Sequence, residues 1–164
     1  MSTHEQKVQD AKDAAIKALA ARDLTRRELV EYLVAHRHSA AAVEPGITEL
    51  EVLGLVDDQR VTEAFVRSRM DEGPIARVMV EATLIERGVD QSIVTRVLDS
   101  MMQGRDEGSE ALELARLRVR TSPARLAPDA IRRRVFAFLT RRGYDEETAR
   151  HAVEVAAEEY LGRP

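Results

Sequence analysis

Apolar residues return along this chain at the three- and four-residue spacing of helices, and no run alternates with the period of two that marks a strand. The first helix is predicted over about 9–22 and the second over 26–36. Thr25-Arg26-Arg27-Glu28 has the spacing in which a hydroxyl and a carboxylate each satisfy a free backbone N–H at a helix start. Leu29, Val30, Leu33 and Val34 then form its apolar stripe. The third segment, 40–54, contains Pro45, which cannot donate to the Ala41 carbonyl, followed by Gly46. The pattern there predicts a short turn over 40–44, a break, and a helix from about 47 through Leu50 and Leu53 to Gly54. Farther on, Val61, Ala64, Phe65 and Ser68 form one stripe, and Ile75, Val78, Met79, Ala82 and Ile85 the next, with Pro74 at its first turn. Ile93, Val94, Val97, Leu98 and Met101 continue the pattern. The hydrophilic break Gln103–Gly108 is predicted to be a hinge. Ala111, Leu112, Ala115 and Val119 follow, then a proline-bracketed link from Ser122 to Pro128. The stripe Ile131, Val135, Phe138 and Leu139 and a last helix through Ala149, Ala152, Val153, Ala156 and Tyr160 bring the count to nine helices.

The turns repeat. Arg87-Gly88-Val89-Asp90 returns fifty-five residues later as Arg142-Gly143-Tyr144-Asp145. In both, a glycine sits where a helix C-terminus favours a left-handed residue, an apolar residue follows, and an aspartate is placed to cap the next helix. A weaker copy stands at Arg37-His38-Ser39, with Arg37 in the glycine slot and Ser39 as the cap. The expected architecture is all-α: three tandem three-helix modules forming an elongated, slightly curved body. Its parts are a flexible arm at 1–8, modules at 9–56, 57–103 and 109–161, a hinge at 104–108, and a tail at 162–164.

Composition narrows the function. Hydrophobic residues make up 44% of the 164 and aromatics only 4%, so the core is aliphatic. There is no cysteine, which removes disulfides, thiolate metal sites and cysteine nucleophiles and fits a cytoplasmic location. No apolar run reaches the roughly 18 residues of a membrane span. His4, His36, His38 and His151 lack metal-ligand spacing, and no glycine-rich nucleotide loop occurs. Asp57-Asp58 reads as a helix-capping pair. No catalytic constellation, cofactor or metal site is expected.

Charge is uneven. Over residues 109–145 nine arginines face four acids, while the whole chain carries a net charge of −4. Arginine without lysine suits bidentate contacts to phosphate or carboxylate. Overall acidity argues against strong non-specific duplex binding. On the helix with Ile131, Val135 and Phe138 inward, Arg134 and Arg141 share one rim and Arg133 points away from the core. Arg60 and Arg67 line one edge of the helix after Asp58, with Arg69 on the opposite flank. Pairing with local acids such as Glu63 and Asp71 is the structural alternative for these three.

The segment Leu53-Gly54-Leu55-Val56-Asp57-Asp58-Gln59-Arg60-Val61-Thr62-Glu63-Ala64-Phe65-Val66-Arg67-Ser68-Arg69 resembles the signature of the RecX family, regulators of the RecA recombinase. Leu19-Ala20-Ala21-Arg22 with Thr25, Glu28-Leu29 and Leu33 is similar to the family's first module. Ala111–Arg116 and Arg132–Tyr144 are similar to its third. The chain departs at Val80-Glu81-Ala82-Thr83-Leu84, where Glu81 stands in place of the usual arginine. The resemblance implies a non-enzymatic protein that lodges in the groove of the RecA filament on single-stranded DNA and inhibits ATP hydrolysis, strand exchange and filament growth. A weak direct DNA contact and a monomeric state are further expectations. Expected contact residues are Arg67, Arg69, Arg116, Arg132, Arg133, Arg134 and Arg141. A direct DNA-binding helical module and a protein–protein adaptor without a DNA role are the alternatives.

Overall fold

The computed structural model describes residues 3–161. Among them are nine α-helices and no strand: α1 (Thr3–Ala21), α2 (Arg26–Ala35), α3 (Ala40–Val52), α4 (Asp58–Asp71), α5 (Arg77–Glu86), α6 (Gln91–Met101), α7 (Glu107–Arg120), α8 (Pro128–Arg141) and α9 (Glu146–Leu161). They follow as three successive groups of three. The expected tail at 162–164 and the first two residues of the expected arm lie outside the described residues. No helix among the described residues is long and apolar enough to cross a membrane.

The helices form two compact units: residues up to Arg67 with Glu81–Met101, and Ser68–Val80 with Met102 onward. In the first unit α1, α2 and α3 pack pairwise around Ala15, Leu29, Leu33, Val43, Ile47 and Leu50. The capping box at α2 forms in full, with the Glu28 N–H donating to Thr25 Oγ1 and the Thr25 N–H donating to Glu28 Oε2 at 2.8 Å. α1 begins at Thr3, so residues 3–8 of the expected arm are helical, and Gln6 and Gln9 donate to Asp10 and Asp13 one turn on.

The expected break at Pro45 does not occur, because α3 runs unbroken from Ala40 to Val52 with the proline inside it. Only the bond to the Ala41 carbonyl is forfeited, a penalty on the order of 3 kcal/mol. Packing offsets it. Gly46 is buried against α1, where a β-carbon would stand 3.2 Å from Lys12 Cγ and 3.5 Å from the Val8 carbonyl oxygen. Alanines on the facing stripe of α1 (Ala11, Ala15, Ala18) permit that approach, and the buried Val43, Ile47 and Leu50 follow on the same face of α3.

The stripe expected on α5 is also displaced. The buried positions are Ala76, Val80 and Leu84, whereas Val78, Met79, Ala82 and Ile85 are exposed. The helix is apolar around most of its circumference, so periodicity supports two stripes. Its N-terminus settles the rotation, because the Ala76 N–H donates to the Arg142 carbonyl (3.1 Å) and the Arg77 N–H to the Glu107 carboxylate (2.6 Å).

In the second unit α7, α8 and α9 pack pairwise. Ala111 and Ala115 on α7 and Ala149, Ala152 and Ala156 on α9 keep those two helices close. Ile131, Val135, Leu139 and Tyr144 fill the space beside them. The stretch 104–108, expected as a hinge, carries Asp106, which accepts from the N–H groups of Gly108 and Ser109 as the N-cap of α7. Arg105 there bonds to the Glu110 carboxylate and to the Ile75 carbonyl.

All three turns adopt the repeated geometry. Arg37, Gly88 and Gly143 have φ of 67°, 83° and 89°, and the next N–H in each case reaches back five residues: His38 to Leu33, Val89 to Leu84, Tyr144 to Leu139. This is the Schellman closure of a helix C-terminus. Asp90 and Asp145 cap as expected, accepting from the N–H groups of Ser92 and Thr148. Ser39 does not: its backbone is extended at the N-cap of α3, but its hydroxyl makes no capping bond.

A cationic groove between α7 and α8

The repeated turns dock, and their docking defines the candidate site. Thr25, Ala76 and Ile131 each stand twelve residues before the left-handed residue of their own group's turn, which makes them equivalent positions. In the first unit the Thr25 hydroxyl donates to the Arg87 carbonyl at 2.7 Å, and the Arg87 guanidinium makes two bonds to Glu28, at 2.8 and 2.9 Å. Burial pushes the Glu28 carboxyl up, but the bonds from Arg87 and the Thr25 N–H outweigh it and hold the group below the usual Glu range. A β-carbon at Gly88 would overlap the Arg27 side chain. In the second unit the Ala76 N–H holds the Arg142 carbonyl, and Arg142 Nη1 donates to the Pro74 carbonyl at 2.7 Å. A β-carbon at Gly143 would come within 2.7 Å of Met79 Cβ. In the first two groups the start of the second helix thus seats the turn of the group that follows.

At α8 the pattern changes. The helix has gained a turn at its front, so Ile131 lies inside it and its N–H is already bonded to the Ala127 carbonyl. The positions equivalent to Arg26, Arg27 and Glu28 are Arg132, Arg133 and Arg134. Among the described residues no further turn is seated there. What lies open is a groove of about 710 Å3 lined by Arg118, Thr121, Ser122, Arg133, Arg134, Phe138 and Arg141, among others, with no acidic residue in its wall. Arg118 lies over the Phe138 ring at 4.0 Å. Arg133, Arg134 and Arg141 are exposed, and no ion pair or hydrogen bond joins their side chains to other described residues. Such guanidinium groups offer forked donors to a carboxylate or phosphate without first breaking an internal pair.

The remaining expected contact residues sit differently. Arg116 on α7 is clamped by Glu159 at 2.7 Å and Glu113 at 2.6 Å, hydrogen bonds that raise its pKa and lower that of Glu159. Arg132 pairs with Asp129 at 3.3 Å, and Arg69 with Glu72 at 2.8 Å. Arg67 lies in the first unit, exposed and joined to no other described side chain, and Arg60 is 3.9 Å from Asp23. Arg142 is the C-cap residue of α8, and its guanidinium donates to the Pro74 carbonyl. The sequence reading did not select Arg118. Its signal is the pairing of a last-turn arginine on α7 with an aromatic on α8, which only the packing of the two helices brings together.

Asp57 and Asp58 cap helices. Asp57 accepts from the Arg60 N–H at 3.0 Å, and Asp58 accepts from the Arg26 N–H at 2.7 Å, thereby serving the start of α2. Burial pushes the Asp58 carboxyl above its usual value. Glu81, the acid at the family's usual arginine position, accepts from Gln91 Nε2 at 2.6 Å.

The fold and groove together describe a helical-repeat protein whose last repeat presents arginines where the earlier ones seat a turn. Comparison with known proteins gives the family. The description "RecX, second three-helix domain" matches residues 57–98. The regulatory protein RecX of Halorhodospira halophila is 36% identical over 152 residues, covering 90% of this chain and 89% of its own. That of Mycobacterium tuberculosis (strain CDC 1551 / Oshkosh) is 34% identical over 166 residues, covering 96% and 92%. The crystal structure of RecX from Lactobacillus salivarius superposes with a TM-score of 0.73 over 93% of this chain and 97% of that one, at 16% identity. This chain belongs to the RecX family of regulatory proteins.

Proposed function

We propose that this chain is a non-enzymatic regulator that binds the RecA filament on single-stranded DNA along its groove, and there inhibits ATP hydrolysis, strand exchange and filament growth. Family membership supports the class of partner. The observation that carries the reading at residue level is the set Arg133, Arg134 and Arg141, unpaired with any described residue in a groove without acids. These, with Arg118, form the principal contact. Arg67 is a second contact, and Arg69, Arg116 and Arg132 contribute less because each is already paired internally. Binding shifts a filament only by its differential affinity for assembled over free recombinase, so the contacts must read features that exist across neighbouring subunits. The test is RecA ATP hydrolysis on single-stranded DNA with and without this protein. Dose-dependent inhibition below one copy per recombinase is expected, and an unchanged rate in excess contradicts the reading.

A further inference from the structure

The two seated turns give the α8 groove a template. In the first unit the equivalent surface takes a polypeptide turn whose arginine meets Glu28, and in the second it takes one through the Ala76 N–H and the Pro74 carbonyl. At α8 the equivalent positions carry the reversed charge: Arg134 stands at the position of Glu28, flanked by Arg133, Arg118 and Arg141. The donor that received the incoming carbonyl is gone: Ile131 has no hydroxyl like that of Thr25, and its N–H, unlike that of Ala76, is bonded to the Ala127 carbonyl. Recognition has therefore moved from a backbone carbonyl to anionic side chains. The one aromatic in the groove, Phe138, has Arg118 over its ring at 4.0 Å and Arg142 at 5.4 Å, so the chain's own cations already crowd the ring on which a base would stack. Binding of single strands ordinarily uses such stacking platforms beside its cations.

We infer that the α7–α8 groove is a docking site for an acidic polypeptide segment of a partner protein, seated as the chain's own turns are seated in the earlier repeats, with carboxylates on Arg133, Arg134 and Arg141. This deepens the filament reading and rests on it for the partner, assigning the groove to acids of the recombinase rather than to DNA phosphates. The closed ion pair of the first unit and the open arginines of the last are then the same joint with opposite polarity, one satisfied within the chain and one from outside.

Two measurements on the full chain test it. The first is binding to poly-L-glutamate and to oligo-dT, by wild type, Arg133→Gln/Arg134→Gln, and the control Arg120→Gln/Arg125→Gln, whose arginines lie outside the groove. Expected is a loss of roughly tenfold or more in poly-L-glutamate binding for the groove variant alone, the size of one or two charge-assisted hydrogen bonds, with oligo-dT binding unchanged. A selective loss of oligo-dT binding, or equal losses in groove and control variants, overturns the proposal. The second places a benzophenone side chain at Thr121, on the groove wall, and irradiates the protein with RecA filaments on single-stranded DNA. An adduct to recombinase is expected, and an adduct to DNA overturns the proposal. If wild type fails to associate with filaments while poly-L-glutamate binding still depends on Arg133 and Arg134, the filament reading falls and the acidic-segment site stands.

Discussion

Glu28 in α2 and Arg134 in α8 occupy the same place in their repeats and behave as opposites. Glu28 is tied into a half-buried network with Arg87 and the Thr25 N–H, whereas Arg134 faces an open groove beside Arg133, Arg141 and Arg118. The first position holds the molecule together, and the second is free to hold something else. Among the described residues no later turn covers the α8 surface, so the residues on it carry no packing duty. The arginines clustered there, in a chain with more acids than bases, are the feature on which the proposed contact rests.

The comparison breaks most visibly at the seated turns. Gly143→Ala is expected to destabilise by about 2–4 kcal/mol, because the residue has φ of 89° and the added carbon would stand 2.7 Å from Met79 Cβ. Gly54→Ala, with φ of 68° and no atom within 4 Å of the added carbon, should cost only about 1 kcal/mol. Urea denaturation of the two variants measures the difference, and equal losses would remove the seating of the Gly143 turn as a source of stability.

Glu28→Gln should cost about 2 kcal/mol at neutral pH by leaving Arg87 without its carboxylate. The sign with pH follows from the lowered pKa of Glu28 in the fold. Its contribution is present above the unfolded Glu value and fades as pH falls through the lower folded value, so wild type should lose its advantage over the variant on acidification below about pH 4.5. Thermal melts of the pair from pH 7 to pH 3 would show convergence, whereas a constant gap would contradict the ion pair.

The third test concerns Tyr144, whose hydroxyl is buried without a hydrogen-bond partner among the described residues and whose pKa burial pushes up to about 12. The neutral form is favoured in the fold, so stability is complete below the ordinary Tyr value near 10 and falls as pH rises from there toward 12. Tyr144→Phe should therefore gain on wild type by about 1.4 kcal/mol between pH 7 and pH 11, while differing from it by about 1 kcal/mol or less at pH 7. A variant as alkali-sensitive as wild type would remove Tyr144 from the account. The smallest stability effect is expected at the open groove: Arg134→Glu, which gives α8 the residue of α2, should change stability by no more than about 0.5 kcal/mol because Arg134 is exposed and unpaired.

Much of this architecture was legible in the amino-acid order. Periodicity gave an all-helical chain in three groups, and the turn motif gave Gly88, Gly143 and even Arg37 as left-handed residues, because local backbone chemistry decides such positions. Local chemistry failed where a neighbour intervened. Pro45 was read as a break from its missing N–H, but the face of α1 that accepts Gly46 outweighs it. The α5 stripe was misplaced because a helix apolar on most sides takes its rotation from contacts at Ala76 and Arg77. For the candidate site, the arginine-rich third was visible as composition, and Arg133, Arg134 and Arg141 do line one groove. The pairing of Arg116 with Glu159, forty-three residues away, and the place of Arg118 over Phe138 depend on how α7, α8 and α9 pack, which no short window of sequence carries.

In the proposed function the open arginines, and not the paired ones, make the contact. Co-sedimentation with RecA filaments on single-stranded DNA tests it directly, comparing wild type with Arg133→Gln/Arg134→Gln/Arg141→Gln and with Arg116→Gln/Arg132→Gln. The account predicts that the first variant is largely lost from the pellet while the second is retained nearly as well as wild type. Equal retention of wild type and the triple variant would contradict it.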